Sequence, residues 1–322
     1  MHRQNVARQF EPATTDSGKV AEIYNRAGDG YGLYADGDPS RLFAFDGLHA
    51  YADRRLWKVL EQKLNELRAA GRGAIRILDA GCGPGTWLRR CVTHARRLGF
   101  SQIAARGFDV AAVQIEAARR NAADLAALPE VDLSFEVADL TAPLQERDAS
   151  VDLTLCLYSV LSHLPVSALP QVAAEFARVT RGHLVTTVRA IGSSPTAFVE
   201  QIEETRHLRL NHRHDRCEIE LCNGRRMEIG FHLFTAHELR QCFQNFNVVD
   251  LSGLDIFHSR FLPDRRWNPP SVNATQQMLG HLAAMEEAHA HNPDFIERAM
   301  HLMLIASTRV TRAIDLHQGQ RG

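Results

Sequence analysis

Three acidic residues spaced 30 apart, Asp79, Asp109 and Asp139, carry the clearest chemistry in the chain. Each closes an apolar run: IRILD, IAARGFD and LSFEVAD. The first run leads into Gly81-Cys82-Gly83-Pro84-Gly85-Thr86. Glycines permit positive φ and let a ligand approach the backbone closely. A Gly-x-Gly-x-Gly turn between a strand and a helix lies at the carboxyl end of that strand, where open α/β sheets bind ligands. A dinucleotide site would read G-x-G-x-x-G; here the third glycine comes one residue earlier, and Asp79 precedes the loop. A carboxylate at that point repels a pyrophosphate and suits a ligand with an ammonium group. Asp109 follows Gly85 by 24 residues. An acidic residue so placed accepts both hydroxyl protons of a ribose. The competing explanation is that each Asp caps the helix after it.

This run resembles motif I of the class I S-adenosylmethionine (SAM)-dependent methyltransferases. The resemblance covers residues 74–190, with a looser match to the last strands. It implies SAM as cofactor and S-adenosylhomocysteine as product. By the same resemblance Asp79, Gly81, Cys82 and Gly83 wrap the methionine and ribose portions. Asp109 and Val110 follow at the ribose. Asp139 meets the adenine amino group, Leu140 supplies a backbone N–H, and Leu157 completes the cofactor set.

The segment Leu157-Tyr158-Ser159-Val160-Leu161-Ser162-His163-Leu164-Pro165 resembles the family's stretch after strand four, beside the transferable methyl. Tyr158 is therefore expected on the substrate side. His163 has two readings: a base near neutral pH bordering the acceptor, or a ring that bonds a backbone carbonyl and positions the loop. Cys156, on an apolar strand, reads as a core residue. The (D/N)PP(Y/F/W) signature of nucleic-acid amino-methyltransferases is missing here. Asn268-Pro269-Pro270-Ser271 imitates it far downstream without the aromatic and reads as a turn. The stretch Tyr24–Pro39 reads as a loop whose Tyr24, Tyr31 and Tyr34 form a lid, since aromatic faces stabilise cations. Arg189 falls at the carboxyl edge of the fifth strand, suited to an acidic group on the acceptor or simply to solvent. His207, His212, His214, Asp215 and Cys217 lack a fixed ligand spacing and predict no metal.

These residues need a scaffold, and the hydrophobic pattern supplies one. Apolar runs at 75–80, 103–110, 133–139, 151–158 and 183–190 alternate with helical patterns at 86–98, 111–127 and 167–180. Strands separated by helices mean βαβ units and a parallel sheet. Leu56, Val59, Leu60, Leu64 and Leu67 recur at helical spacing before Gly71. Further on, 195–210 predicts a helix, 216–234 two strands joined at Asn223-Gly224, 235–246 a helix and 247–257 a strand. Residues 258–300 predict an insertion with a helix pair, and 301–310 a last strand. The fold class is α/β: a doubly wound, Rossmann-like, seven-stranded methyltransferase sheet with a helical and loop cap. The expected organisation is a frayed tail at 1–18, a lid and helix at 19–71, the SAM-binding domain at 72–310 with cap insertions at 191–234 and 258–300, and a tail at 311–322.

Composition narrows the function. The 322 residues carry 37 Lys+Arg against 38 Asp+Glu, a net charge of −1. Nothing in that balance favours phosphate contacts along a duplex, so nucleic acid is disfavoured as main partner. No apolar run approaches the ~18 residues that span a bilayer, and the polar first residues lack the apolar core of a secretory signal. The six cysteines include no CxxC and read as free thiols in a reducing cytosol. The expectation is a cytoplasmic enzyme that transfers the sulfonium methyl by SN2 to O, N or S of a small molecule held under the lid. Alternatives are an RNA or protein methyltransferase, a non-catalytic SAM-binding protein, or a nicotinamide-dependent oxidoreductase; the last would need a later third glycine or a Tyr-x-x-x-Lys.

Overall fold

The computed structural model describes residues 17–27, 39–45, 49–193, 205–211, 213–258 and 276–308. Its organising element is β1 (Ala74–Ala80), buried from Ile77 onward. β2 (Gln102–Asp109), β3 (Val131–Val137), β4 (Val151–Cys156) and β5 (Thr180–Arg189) join it in parallel. Every residue of β4 is buried, as a central parallel strand covered on both faces requires. β9 (Phe246–Leu254) and β10 (His301–Thr308) complete the sheet in the order β3-β2-β1-β4-β5-β10-β9, with β10 antiparallel to both neighbours. This is the doubly wound seven-stranded order that the strand pattern and the resemblance imply.

Helices fill both faces. α2 (Ala50–Ala69) turns Leu56, Leu60, Leu64 and Leu67 inward, next to α3 (Thr86–Arg97). α6 (Leu169–Val179) and α7 (Ala236–Cys242) contribute Val172, Phe176 and Leu239 to the opposite core. Thr235 caps α7 by accepting the Glu238 N–H at 3.1 Å. The pattern at 111–127 is not one helix but two, α4 (Ala112–Asn121) and α5 (Ala123–Ala126), broken at Ala122. Under the sheet, buried Asp152 accepts from Arg72, from both arms of Arg181 at 2.9 Å and from the Arg76 N–H at 2.9 Å. That carboxylate fastens the starts of β1, β4 and β5.

A second, three-stranded antiparallel sheet stands apart: β6 (Thr205–Asn211), β7 (Arg216–Leu221) and β8 (Arg226–Gly230). Its apolar face, with Cys217, Ile219, Leu221 and Ile229, packs against Val20 and Ile23 of α1 (Ser17–Ala27). Two expectations change here. Residues 205–211 form a strand rather than the end of a helix, because half-buried Leu208 and Leu210 alternate with exposed His207 and Arg209 at the period of two that a half-buried strand needs. Tyr24 lies in α1 rather than in a loop. In the expected helix pair of 258–300, the described residues hold one helix, α8 (Gln276–His289), and a short 3₁₀ turn at Ile296–Arg298. Buried Glu286 of α8 accepts the N–H groups of Ile256, Phe257 and His258 at 2.8–2.9 Å. Tyr31, Tyr34, His212 and the Asn268–Ser271 turn lie outside the described residues.

Candidate functional site

A cavity opens over the carboxyl ends of the parallel strands. The thirteen described residues proposed from sequence all line it: Asp79, Gly81, Cys82, Gly83, Asp109, Val110, Asp139, Leu140, Leu157, Tyr158, His163, Tyr24 and Arg189. The chain brings them together because β1 to β5 end on one edge, and each Asp closes or just follows a strand.

The glycine loop is held from below. Gly81 and Cys82 donate their N–H groups to the Phe108 carbonyl at 2.8 and 2.9 Å. Gly81 has φ +75°, and a Cβ there would come within 2.7 Å of Val160 Cγ1. Only glycine fits such a place without strain. Beside it, Asp79 is fully buried and accepts the Leu88 N–H, while its Oδ2 has no partner. Burial, together with the Asp109 charge, raises its pKa from 3.8 to about 7. A buried carboxylate oxygen left without a donor is costly unless a ligand completes it.

Asp109 accepts the Gly83 N–H at 3.0 Å and the Ala111 N–H at 2.9 Å, one on each oxygen. The carboxylate also takes the Val110 N–H and keeps acceptor capacity beyond these bonds. Burial raises this pKa too. Asp139 accepts both the N–H and the hydroxyl of Thr141, at 2.9 and 2.8 Å, and bonds the Ser17 side chain. These bonds hold its carboxyl below the usual range, although burial opposes them. Local turn bonds therefore occupy part of Asp139, and among the described residues no helix stands between β3 and β4 for it to cap.

α1 forms one wall. Asn25 accepts the Val113 N–H at 3.1 Å, and Gln114 donates to the Tyr24 carbonyl at 3.3 Å. Tyr24 also meets His163, hydroxyl to Nε2, at 2.8 Å, while His163 Nδ1 lies 3.1 Å from the Gly230 carbonyl. A carbonyl only accepts, so Nδ1 carries the proton and Nε2 accepts from Tyr24. Burial pushes this imidazole down to a pKa of about 4. Both ring nitrogens are thus spent joining α1, the loop after β4 and the small sheet. His163 positions that loop and has no lone pair left for a substrate proton.

The cavity is also lined by residues that the sequence did not single out: His49, Asp53, Trp87, Arg90 and His301. Tyr158, at φ +53°, donates its hydroxyl to Asp53 and lies 6.0 Å from Trp87 and 5.4 Å from His301, ring to ring. Arg90 is sandwiched between Trp87 and Phe45, 4.4 and 4.6 Å from the ring centres, and donates to the Leu42 carbonyl at 2.6 Å. Arg189 is 3% exposed and donates to Ser193 at 3.1 Å. Burial lowers its pKa to about 10. Of the histidine-rich segment, Cys217 is buried in the small-sheet core and Asp215 bonds His232 at 2.8 Å. Among the described residues no cluster of three or more such side chains is placed to hold a metal, and no helix is long and apolar enough to cross a membrane.

The sheet order and a glycine-cradled acidic site at the strand ends define the class of a Rossmann-like, ligand-binding α/β enzyme. Residues 77–183 match the family described as a methyltransferase domain. The chain carries a class I SAM-dependent methyltransferase domain, and SAM is its cofactor. No curated protein sequence matches it significantly. Similar solved structures include the 4+2 cyclase SpnF, with a TM-score of 0.51, 18% identity, and coverage of 93% of this chain and 98% of that one. Magnesium protoporphyrin IX methyltransferase from Synechocystis PCC 6803 gives 0.49, 14%, 93% and 100%. Geranyl diphosphate C-methyltransferase from Streptomyces coelicolor A3(2) gives 0.48, 14%, 93% and 100%. At these identities the likeness is one of fold. The cavity fits SAM on its own terms: the unpartnered Asp79 oxygen suits the ligand's ammonium group, and the space beside Gly81 admits no side chain.

Proposed function

We propose that this chain methylates O, N or S of a small molecule bound between the strand ends and a cap made of α1 and the small sheet. The observation that carries the cofactor half is buried Asp79 Oδ2, a carboxylate oxygen awaiting a cationic donor at the glycine loop. Asp79 would hold the ammonium, Asp109 the ribose hydroxyls, and the Leu140 N–H with Asp139 the adenine edge. Val110 and Leu157 would pack on the bound ligand. SAM supplies an electrophilic methyl on a positively charged sulfur.

The small-molecule half is supported by enclosure. The Tyr24–His163 bond and the α1 contacts to α4 close the cavity on one side, which suits a small acceptor better than a macromolecule. Tyr24 and Tyr158 present aromatic walls, and Arg189 offers a guanidinium to an acidic group on the acceptor. Closing the site aligns the acceptor and excludes water. All six cysteines are free, four of them buried, in keeping with a cytoplasmic enzyme. The test is incubation with methyl-labelled SAM and a metabolite extract, with RNA and protein fractions in parallel. Label in a small molecule supports the reading; label confined to RNA or protein overturns it.

A further inference from the structure

The cavity wall beside Tyr158 and His301 holds a further histidine. His49 immediately precedes α2 and lines the cavity. Its ring centre is 6.2 Å from Tyr158 and 6.3 Å from His301. Nδ1 is buried without a partner, and among the described residues neither ring nitrogen makes a hydrogen bond. An unpaired buried nitrogen costs free energy unless something from outside the chain completes it. Burial and the nearby Arg189 guanidinium hold its pKa down at about 4. At neutral pH the ring therefore keeps a lone pair. His163, by contrast, has both nitrogens engaged.

We propose that His49 is the general base of the methyl transfer, and that the acceptor presents an O–H or N–H group at this wall of the cavity. The proposal rests on the methyl-transfer reading of the pocket. His49 takes the acceptor's proton as the acceptor's lone pair forms its bond to the methyl carbon. The carbon–sulfur pair stays with sulfur, which becomes neutral. The positive charge leaves on the imidazolium, which returns its proton to water. Among the described residues His301 is the other histidine on this wall, but it is more deeply buried and is repelled by both Arg189 and His49. Its imidazolium is the harder of the two to form, so His301 orients the acceptor. Among the described residues, Asp53, Tyr158 and Arg90 also line the cavity.

Two analogues test this without an acceptor. S-adenosylhomocysteine lacks the transferable methyl, whereas sinefungin carries an amine in its place. On this proposal, neutral His49 accepts a hydrogen bond from the protonated amine. Calorimetry on wild type, His49→Phe and His49→Gln reads the difference. S-adenosylhomocysteine affinity stays within about twofold in all three, while sinefungin weakens about tenfold in His49→Phe and recovers in His49→Gln, as expected for one bond to a charged group. Equal sinefungin affinities, or parallel loss of both ligands, overturns the proposal. Failure of wild type to bind S-adenosylhomocysteine overturns the methyl-transfer reading instead. Should His49→Phe not fold, diethyl pyrocarbonate at pH 5 followed by peptide mass mapping of wild type replaces it. His49 is then acylated in the S-adenosylhomocysteine complex and shielded in the sinefungin complex. An unlabelled His49, or equal labelling in both complexes, counts against the base.

Discussion

Asp79→Asn separates what the site costs from what it does. In the ligand-free protein the Asp79 carboxyl is fully buried, and its pKa rises from 3.8 to about 7. At about 1.4 kcal/mol per pH unit, keeping it ionised costs the fold on the order of 4 kcal/mol. The sign follows from proton binding. Between pH 4 and 7 the folded state holds a proton that the unfolded state has lost. Stability therefore falls as pH rises through that window and levels off above pH 7. Asparagine cannot ionise, and it retains the oxygen that accepts the Leu88 N–H. The variant should be more stable than wild type at pH 8, by several kcal/mol, and about equally stable near pH 4. Its affinity for S-adenosylhomocysteine should fall about tenfold or more, because a charged hydrogen bond to the ammonium is lost. Thermal melts from pH 4 to 8, with calorimetry at pH 8, measure both effects. A variant that melts lower than wild type at pH 8, or that binds the ligand equally well, would refute the reasoning.

Other substitutions probe the remaining contacts. Gly81→Val places a branched side chain against Val160 at φ +75°; ligand binding should be lost, and unchanged affinity by calorimetry would remove the loop from the site. Asp109→Ala deletes the acceptor for the ribose hydroxyls and for the Gly83, Val110 and Ala111 N–H groups. Affinity should drop about tenfold to a hundredfold, with a lower melting temperature; a folded variant with full affinity moves the ribose elsewhere. Tyr24→Phe strands His163 Nε2 without a donor. It should destabilise the protein by about 1–3 kcal/mol, and an unaltered denaturation midpoint would count against the bond as the clasp of α1.

The parallel half of the sheet was legible because its signals are local. Each of the first five strands is an apolar run of the right length, and Asp79, Asp109 and Asp139 mark where three of them end. The loop geometry follows from Gly81 and Gly83, which need positive φ. The acceptor wall was not legible, since His49 precedes a helix and His301 opens the last strand. Only the insertion of β10 beside β5, pairing His301 with Arg189, brings the second of these to the cavity. No spacing along the chain encodes that meeting. His163 drew attention as the histidine nearest the transferred methyl in sequence, yet its two hydrogen bonds make it a joint. For β6 a signal existed, Arg206-His207-Leu208-Arg209-Leu210, but extending a helix from 195 absorbed it.

The placement of β10 also bears on how the protein comes into being on the ribosome. β5 and β9 do not pair with each other; β10 lies between them and joins both. A nascent chain that has emerged only through β9 has its glycine loop and three acidic residues, but the seam beside Arg189 is open. His301 and the wall it forms are still to come. The glycine loop and the three acidic residues thus leave the ribosome before the strand that joins β5 to β9. Non-local strand insertion of this kind is slow compared with forming the neighbouring βαβ units. In a growing polypeptide the strand that closes the seam beside Arg189 emerges after every strand it must join.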